Sequence, residues 1–86
     1  MTESQRNCFL AVAEHRSFSK AATALYVSQP AVSKNISILE EELGASLFNR
    51  QGKFVELTKA GEIFFMFLSD IFSILRFKFP INFCVF

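Results

Sequence analysis

Residues 26–37 read YVSQPAVSKNIS, and the reading of this stretch decides the fold. Its proline follows Ser28 and Gln29 and precedes a run whose apolar residues recur at helical spacing. A serine hydroxyl can accept a hydrogen bond from an unpaired N–H of a first helical turn. Proline costs little in that turn, because its N–H would have no intrahelical partner there. The proline therefore marks a start, not a break. Val32, Ile36, Leu39 and Leu43 form the expected buried stripe, and Gly44 is the expected stop. The other face carries Gln29, Ser33, Lys34 and Ser37, a polar side that fits either solvent or a polar partner. Glu40, Glu41 and Glu42 crowd the far end. Acidic residues oppose the macrodipole at a C-terminus, so they are read as holding that end away from phosphates. The element is expected to enter a groove N-terminus first.

Upstream, Phe9, Val12 and Ala13 lie on one stripe of a helix expected over residues 3–14. Ser17 then precedes Phe18, Ala21, Ala22 and Leu25, so a second helix capped by Ser17 is expected. Small Ala21 and Ala22 allow a neighbouring helix to approach closely. Only Tyr26 to Ser28 separate it from the third helix. Downstream, Leu47–Arg50 and Phe54–Leu57 flank Gln51-Gly52-Lys53, the pattern of a two-stranded hairpin. Thr58 is the next expected N-cap, with a helix from Lys59 to about Phe77 and Pro80 limiting its continuation.

An 86-residue chain has room for one small domain, and its apolar half argues against disorder throughout. Residues 1–58 hold six Lys/Arg and six Asp/Glu, so nucleic-acid binding would have to come from the arrangement of charge, not its total. Cys8 and Cys84 are far apart and share no metal-like spacing with His15, the only histidine. His15 is expected as an exposed end-of-helix residue and Cys8 as a small helix residue. No enzyme, metal or cofactor pattern is present, and two reduced cysteines without a secretory leader point to a cytoplasmic protein.

Two helices joined by a tight turn, the second polar at its start, and then a basic-tipped hairpin make a mainly α winged helix-turn-helix. The runs FLAVAEHRSFSKAATALYVSQPAVSKNISILEEELGASLFNR and LTKAG, in this order and spacing, resemble the N-terminal DNA-binding domain of LysR-type transcriptional regulators. The resemblance covers residues 3–62. It implies sequence-specific binding of double-stranded DNA. Gln29, Pro30, Ser33 and Lys34 match recognition-helix positions, Arg50 a position near the phosphate backbone, and Lys53 the wing tip at the minor groove. Ser17, Lys20 and Ser28 are further phosphate-contact candidates at helix starts. Lys34 departs from the arginine common at its position and lacks a bidentate fork. Family members carry an effector-binding domain after the linker helix; none follows here, so no small-molecule effector is expected.

The implied organisation is a DNA-binding domain over residues 1–58, a linker and dimerisation helix over 59–78, and an apolar tail over 79–86. Phe9, Phe18, Phe48 and Phe54 are read as spaced core aromatics, and the other eight of the twelve phenylalanines fall after residue 58. On the last helix a narrow polar stripe (Glu62, Ser69, Ser73 and Arg76) leaves Phe64, Phe67, Leu68, Ile71, Ile74 and Leu75 as a broad apolar surface. The corresponding helix pairs subunits in the family, so a homodimer or a heterodimer seam is expected there. A membrane span is disfavoured, because residues 63–75 would reach only about 20 Å against a core of about 30 Å, and Asp70 interrupts them. RFKFPINFCVF matches no family pattern, and its Phe, Ile, Lys and Asn bias is what a shifted frame in A/T-rich DNA would encode. The alternatives to a working regulator are an interaction protein that pairs with a full-length relative, and a truncated remnant without a function.

Overall fold

The computed structural model describes the backbone of residues 1–52 and 54–77, and within that range the side chains up to Leu68. Lys53 and the expected tail over 79–86 lie outside the described residues, as do the side chains of Ile71, Ile74 and Leu75. Helices α1 (Glu3–His15), α2 (Phe18–Leu25) and α3 (Gln29–Leu43) come first. Strands β1 (Phe48–Asn49) and β2 (Glu56–Leu57) and helix α4 (Lys59–Phe77) follow.

Each helix begins at a hydroxyl that accepts from a backbone N–H three residues on. Ser17 accepts from Lys20 (3.1 Å), Ser28 from Ala31 (3.2 Å) and Thr58 from Gly61 (3.0 Å). Thr2 does the same for α1, accepting from Gln5 (3.1 Å), while the Gln5 side chain accepts from the Thr2 N–H (3.0 Å). This reciprocal box sets α1's start and was not among the sequence expectations. Gln29 and Pro30 occupy α3's first turn, and Gly44 ends the helix at φ 71°. Helices α1 and α2 end instead on Arg16 (φ 54°) and Tyr26 (φ 59°). A left-handed conformation costs a non-glycine residue roughly 1–2 kcal/mol, so packing must hold both turns.

The three helices close over Phe9, Val12, Phe18, Ala21, Ala22, Val32, Ile36 and Leu39, and Leu47 and Phe48 complete the core from the wing side. Cys8 is buried at the same seam, where the Asn35 amide donates to its sulfur (3.6 Å). Burial pushes its thiol pKa up, and the Asn35 bond partly offsets that.

Three expectations need correction. Leu43, placed in the buried stripe, is 46% exposed, since it lies in the last turn before Gly44. Phe54, grouped with the core aromatics, is 54% exposed on the wing. The strands are two residues long, not four. The Asn49 side chain accepts from the Gln51 N–H (3.0 Å) directly after β1, and the Val55 N–H donates to Arg16 O (3.2 Å) instead of across the hairpin. Phe48 pairs with Leu57 and Asn49 with Glu56, antiparallel.

Glu40 has a role that its sequence neighbours do not share. Its carboxylate accepts from the Leu47 N–H (2.7 Å), and more weakly from the Phe48 N–H and the Ser46 hydroxyl (3.4 Å each). It thus fastens the chain entering β1 to the end of α3. Thr58 fastens the chain leaving β2: its N–H donates to Leu47 O (3.0 Å) and its hydroxyl to Ser46 O. Gly61 lets α4 approach this seam, since a Cβ there would collide with Leu47 O.

Glu40→Ala would leave the Leu47 N–H without its acceptor, a loss of about 1–3 kcal/mol. The expected fall in the midpoint of thermal unfolding is roughly 5–15 °C for a domain of this size. Glu40→Gln, which keeps an acceptor oxygen, is expected to recover most of it by the same measurement.

Candidate nucleic-acid interface

Ser17, Lys20, Gln29, Ser33 and Arg50 converge on one open depression of about 420 Å³. They come from the α2 cap, the body of α2, the first two turns of α3 and the chain just after β1. His15, Arg16, Phe18, Ser19, Phe54 and Val55 complete its wall. Capping brings Ser17 here, because its hydroxyl must face the first N–H groups of α2. Helix α3 brings Gln29 and Ser33, one turn apart, to the depression along the border of its buried stripe, where Ser33 is half-buried. Pro30, Ser28 and Lys34 are exposed on the same part of α3 but do not line the depression. Lys53, the expected wing-tip contact, lies outside the described residues.

Arg50 is held by an unexpected surface. Its guanidinium carbon sits 4.0 Å from the centroid of the Phe18 ring, and that ring packs edge-on against Phe48 (6.0 Å). An aromatic face attracts a cation without neutralising it, and guanidinium's edge N–H groups stay available. Among the described residues, no carboxylate lies within ion-pair distance of Lys20, Lys34 or Arg50. Arginines 6 and 16 do have such partners, Glu3 and Glu56, each at 3.8 Å. Of Lys20, Lys34 and Arg50, the first and last line the depression, so two unpaired cations meet there. Helix starts at Ser17 and Ser28 add N–H dipoles that favour anions.

Sequence reading missed Arg16 and Phe54. Arg16 contributes its carbonyl to Val55, its charge to Glu56, and its guanidinium to Phe54, 5.6 Å from the ring centroid. The available signal was the single residue between His15 and the Ser17 cap, a spacing that forces a sharp turn there. His15 is exposed, as expected. No group of three or more metal-ligating side chains occurs among the described residues.

On α4 the expected dimer face divides. Phe64 lies edge-on to buried Phe9 (5.0 Å), and Leu68 packs on the same core. Both are partly buried within the chain itself. Phe67 remains outward at 57% exposure, beside Ile63 (59%) and Met66 (60%), which the sequence reading left out. No helix among the described residues is long and apolar enough to cross a membrane.

Comparison with known proteins adds a decisive match: the profile of bacterial regulatory helix-turn-helix proteins of the lysR family covers residues 4–62. The chain belongs to the LysR family. It is 49% identical over 72 residues to the RuBisCO operon transcriptional regulator of Allochromatium vinosum, covering 84% of this chain and 24% of that protein. It is 54% identical over 57 residues to the HTH-type transcriptional regulator BudR of Klebsiella aerogenes, covering 66% of this chain and 40% of that protein. The chain thus spans about a quarter to two-fifths of these LysR-family relatives. Among solved structures, the BenM DNA-binding domain on catB site 1 DNA superposes with a TM-score of 0.79 at 33% identity. That match covers 99% of this chain and 96% of the other. Four helices with a two-stranded wing are the architecture shared with these LysR-family domains.

The Arg50–Phe18 contact is open to a double-mutant cycle. With Arg50→Met and Phe18→Leu, urea unfolding is expected to give a coupling energy of about 0.5–1 kcal/mol. Zero coupling would mean that the guanidinium does not rest on the ring in solution.

Proposed function

We propose that this chain binds double-stranded DNA as the recognition module of a LysR-type transcription regulator. Helix α3 enters the major groove by its N-terminal half, with Gln29, Pro30, Ser33 and Lys34 toward base edges and flanking phosphates. Ser17, Lys20, Ser28 and Arg50 meet the backbone to either side, and Lys53 belongs to the wing contact. The observation that carries this reading is the depression where Ser17, Lys20, Gln29, Ser33 and Arg50 converge without a neutralising carboxylate. Further support comes from relatives whose DNA-binding domains, those of BenM and CbnR, were solved on DNA at 33% and 36% identity. The proposed activity is binding, with no chemical step.

Pairing of two copies through α4 is part of the proposal. Ile63, Met66 and Phe67 form an apolar strip that the rest of the described chain leaves open. A single module neutralises few phosphates, so its affinity falls quickly with salt. Two modules on adjacent half-sites would compensate through effective concentration.

Selection of a duplex from a random pool, followed by titration at several salt concentrations, tests the assignment. Lys34→Ala is expected to weaken binding to all duplexes and to lower the salt slope by about one. Ser33→Ala is expected to relax preference at one base position while the thermal midpoint stays near wild type. If the wild-type chain ignores every duplex at low salt, the proposed function is wrong.

A further inference from the structure

The wing is a short appendage. Val55 packs against the core, and two arginine–ring contacts join the described wing residues to the helical body as a reciprocal pair. Arg50 on the wing reaches the Phe18 ring of α2, while Arg16 on the body reaches back to the Phe54 ring of the wing. Arg16 also pairs with Glu56 of β2 (3.8 Å), and its carbonyl accepts the Val55 N–H (3.2 Å).

Arg16 occupies a left-handed turn position that glycine would fill without strain. Local backbone geometry therefore does not ask for arginine, and the side chain must be explained by what it touches. Its ring contact and its ion pair are both with the wing: Phe54 at 5.6 Å and Glu56 at 3.8 Å. A guanidinium paired with a carboxylate is also a poor additional phosphate ligand, because its charge is already partly answered.

We infer that Arg16 is a positioning residue that sets the wing's orientation, acting through Phe54 and Glu56 rather than by touching DNA itself. The DNA consequences rest on the proposed function, whereas the clasp itself does not. Wing residues can meet a flanking groove only when the hairpin holds a fixed angle to α3. A loosened wing keeps its charge but loses its preorganisation, and so contributes less to binding.

Arg16→Gly is the informative variant, since the turn accepts glycine and the core is untouched. Two measurements on the full chain separate the possibilities. Limited trypsin digestion, read by mass spectrometry for cuts after Arg50 or Lys53, reports wing mobility without DNA. The variant is expected to be cut there several times faster than wild type, with an unchanged thermal midpoint. Cutting at the wild-type rate overturns the inference, whether or not the protein binds DNA. Titration of a selected duplex is expected to show about three- to tenfold weaker binding for Arg16→Gly, from loss of one exposed ring contact and one ion pair. Arg16→Lys, which keeps both interactions in weaker form, is expected to recover part of it. Glu56→Gln decides the mode of action by its sign. Weaker binding supports a positioning role, whereas tighter binding would make Arg16 a direct phosphate ligand held back by Glu56 and overturn the inference. Failure of the wild-type chain to bind any duplex would refute the proposed function alone, and the digestion result would still decide the clasp.

Discussion

Burial of the Phe9 ring is the constraint on which the other elements depend. Phe9 has no solvent exposure and is met by Phe48 of β1 (5.3 Å) and by Phe64 of α4 (5.0 Å). One side chain of α1 thereby joins the wing and the last helix to the helical body. The contact series continues from Phe48 to Phe18 (6.0 Å) and from Phe18 to the Arg50 guanidinium (4.0 Å). Aromatic pairs at these spacings gain about 0.5–1.5 kcal/mol beyond the area they bury. They also prefer tilted or edge-on arrangements, so each ring constrains the next. A cation at the surface is positioned by a series of rings that begins in the core.

A polar seam complements this apolar one. The chain around Leu47 must turn from α3 into β1 while buried, and its N–H and C=O groups need partners there. Glu40 answers the N–H and Thr58 the C=O, one from each side. Glu40 therefore differs from Glu41 and Glu42, which are exposed. Repulsion of phosphate is not needed to account for it. Gly61 completes the seam, because α4 can lie against Leu47 only where no Cβ intervenes. Helix propensity alone would favour alanine at Gly61 by about 1 kcal/mol, but overpacking costs of about 1–3 kcal/mol exceed that. The close approach decides the residue.

Much of this architecture was legible before the structure, and for identifiable reasons. Ser17, Ser28, Gly44 and Thr58 are local signals, each acting on residues within four positions, so helix limits followed from them directly. Val32, Ile36 and Leu39 followed from periodicity, which reports one face of one helix. Leu43 failed because periodicity cannot say where the partner helices stop. Phe54 failed because an aromatic in a hairpin can face either layer, and a one-residue change of register exchanges them. The roles of Glu40 and Arg16 depend on partners 6 to 40 residues away, Ser46 and Glu56 at those limits. No local pattern encodes such pairs. Phe64 and Phe67 were grouped as one surface for a related reason: the width of an apolar face is visible in sequence, but the part already used by the chain's own core is not.

The same distinction explains how a chain with six cations and six anions over residues 1–58 can gather unpaired cations at one depression. Pairing matters more than counting. Arg6 and Arg16 spend their charge on Glu3 and Glu56, while Lys20, Lys34 and Arg50 have no carboxylate within reach among the described residues. Arg50 is the clearest instance, since a ring holds it where an acid would have answered its charge. A carboxylate at that position would have fixed the guanidinium equally well in space. It would also have cancelled the field that an approaching phosphate meets, and would have had to be displaced from the fork. Phe18 orders the side chain and leaves both its charge and its edge donors intact. Arg16, placed against Glu56 and Phe54 together, has a different balance, with its charge partly answered by an exposed carboxylate. Two arginines on one depression are thus suited to different tasks by the chemistry of what they rest on.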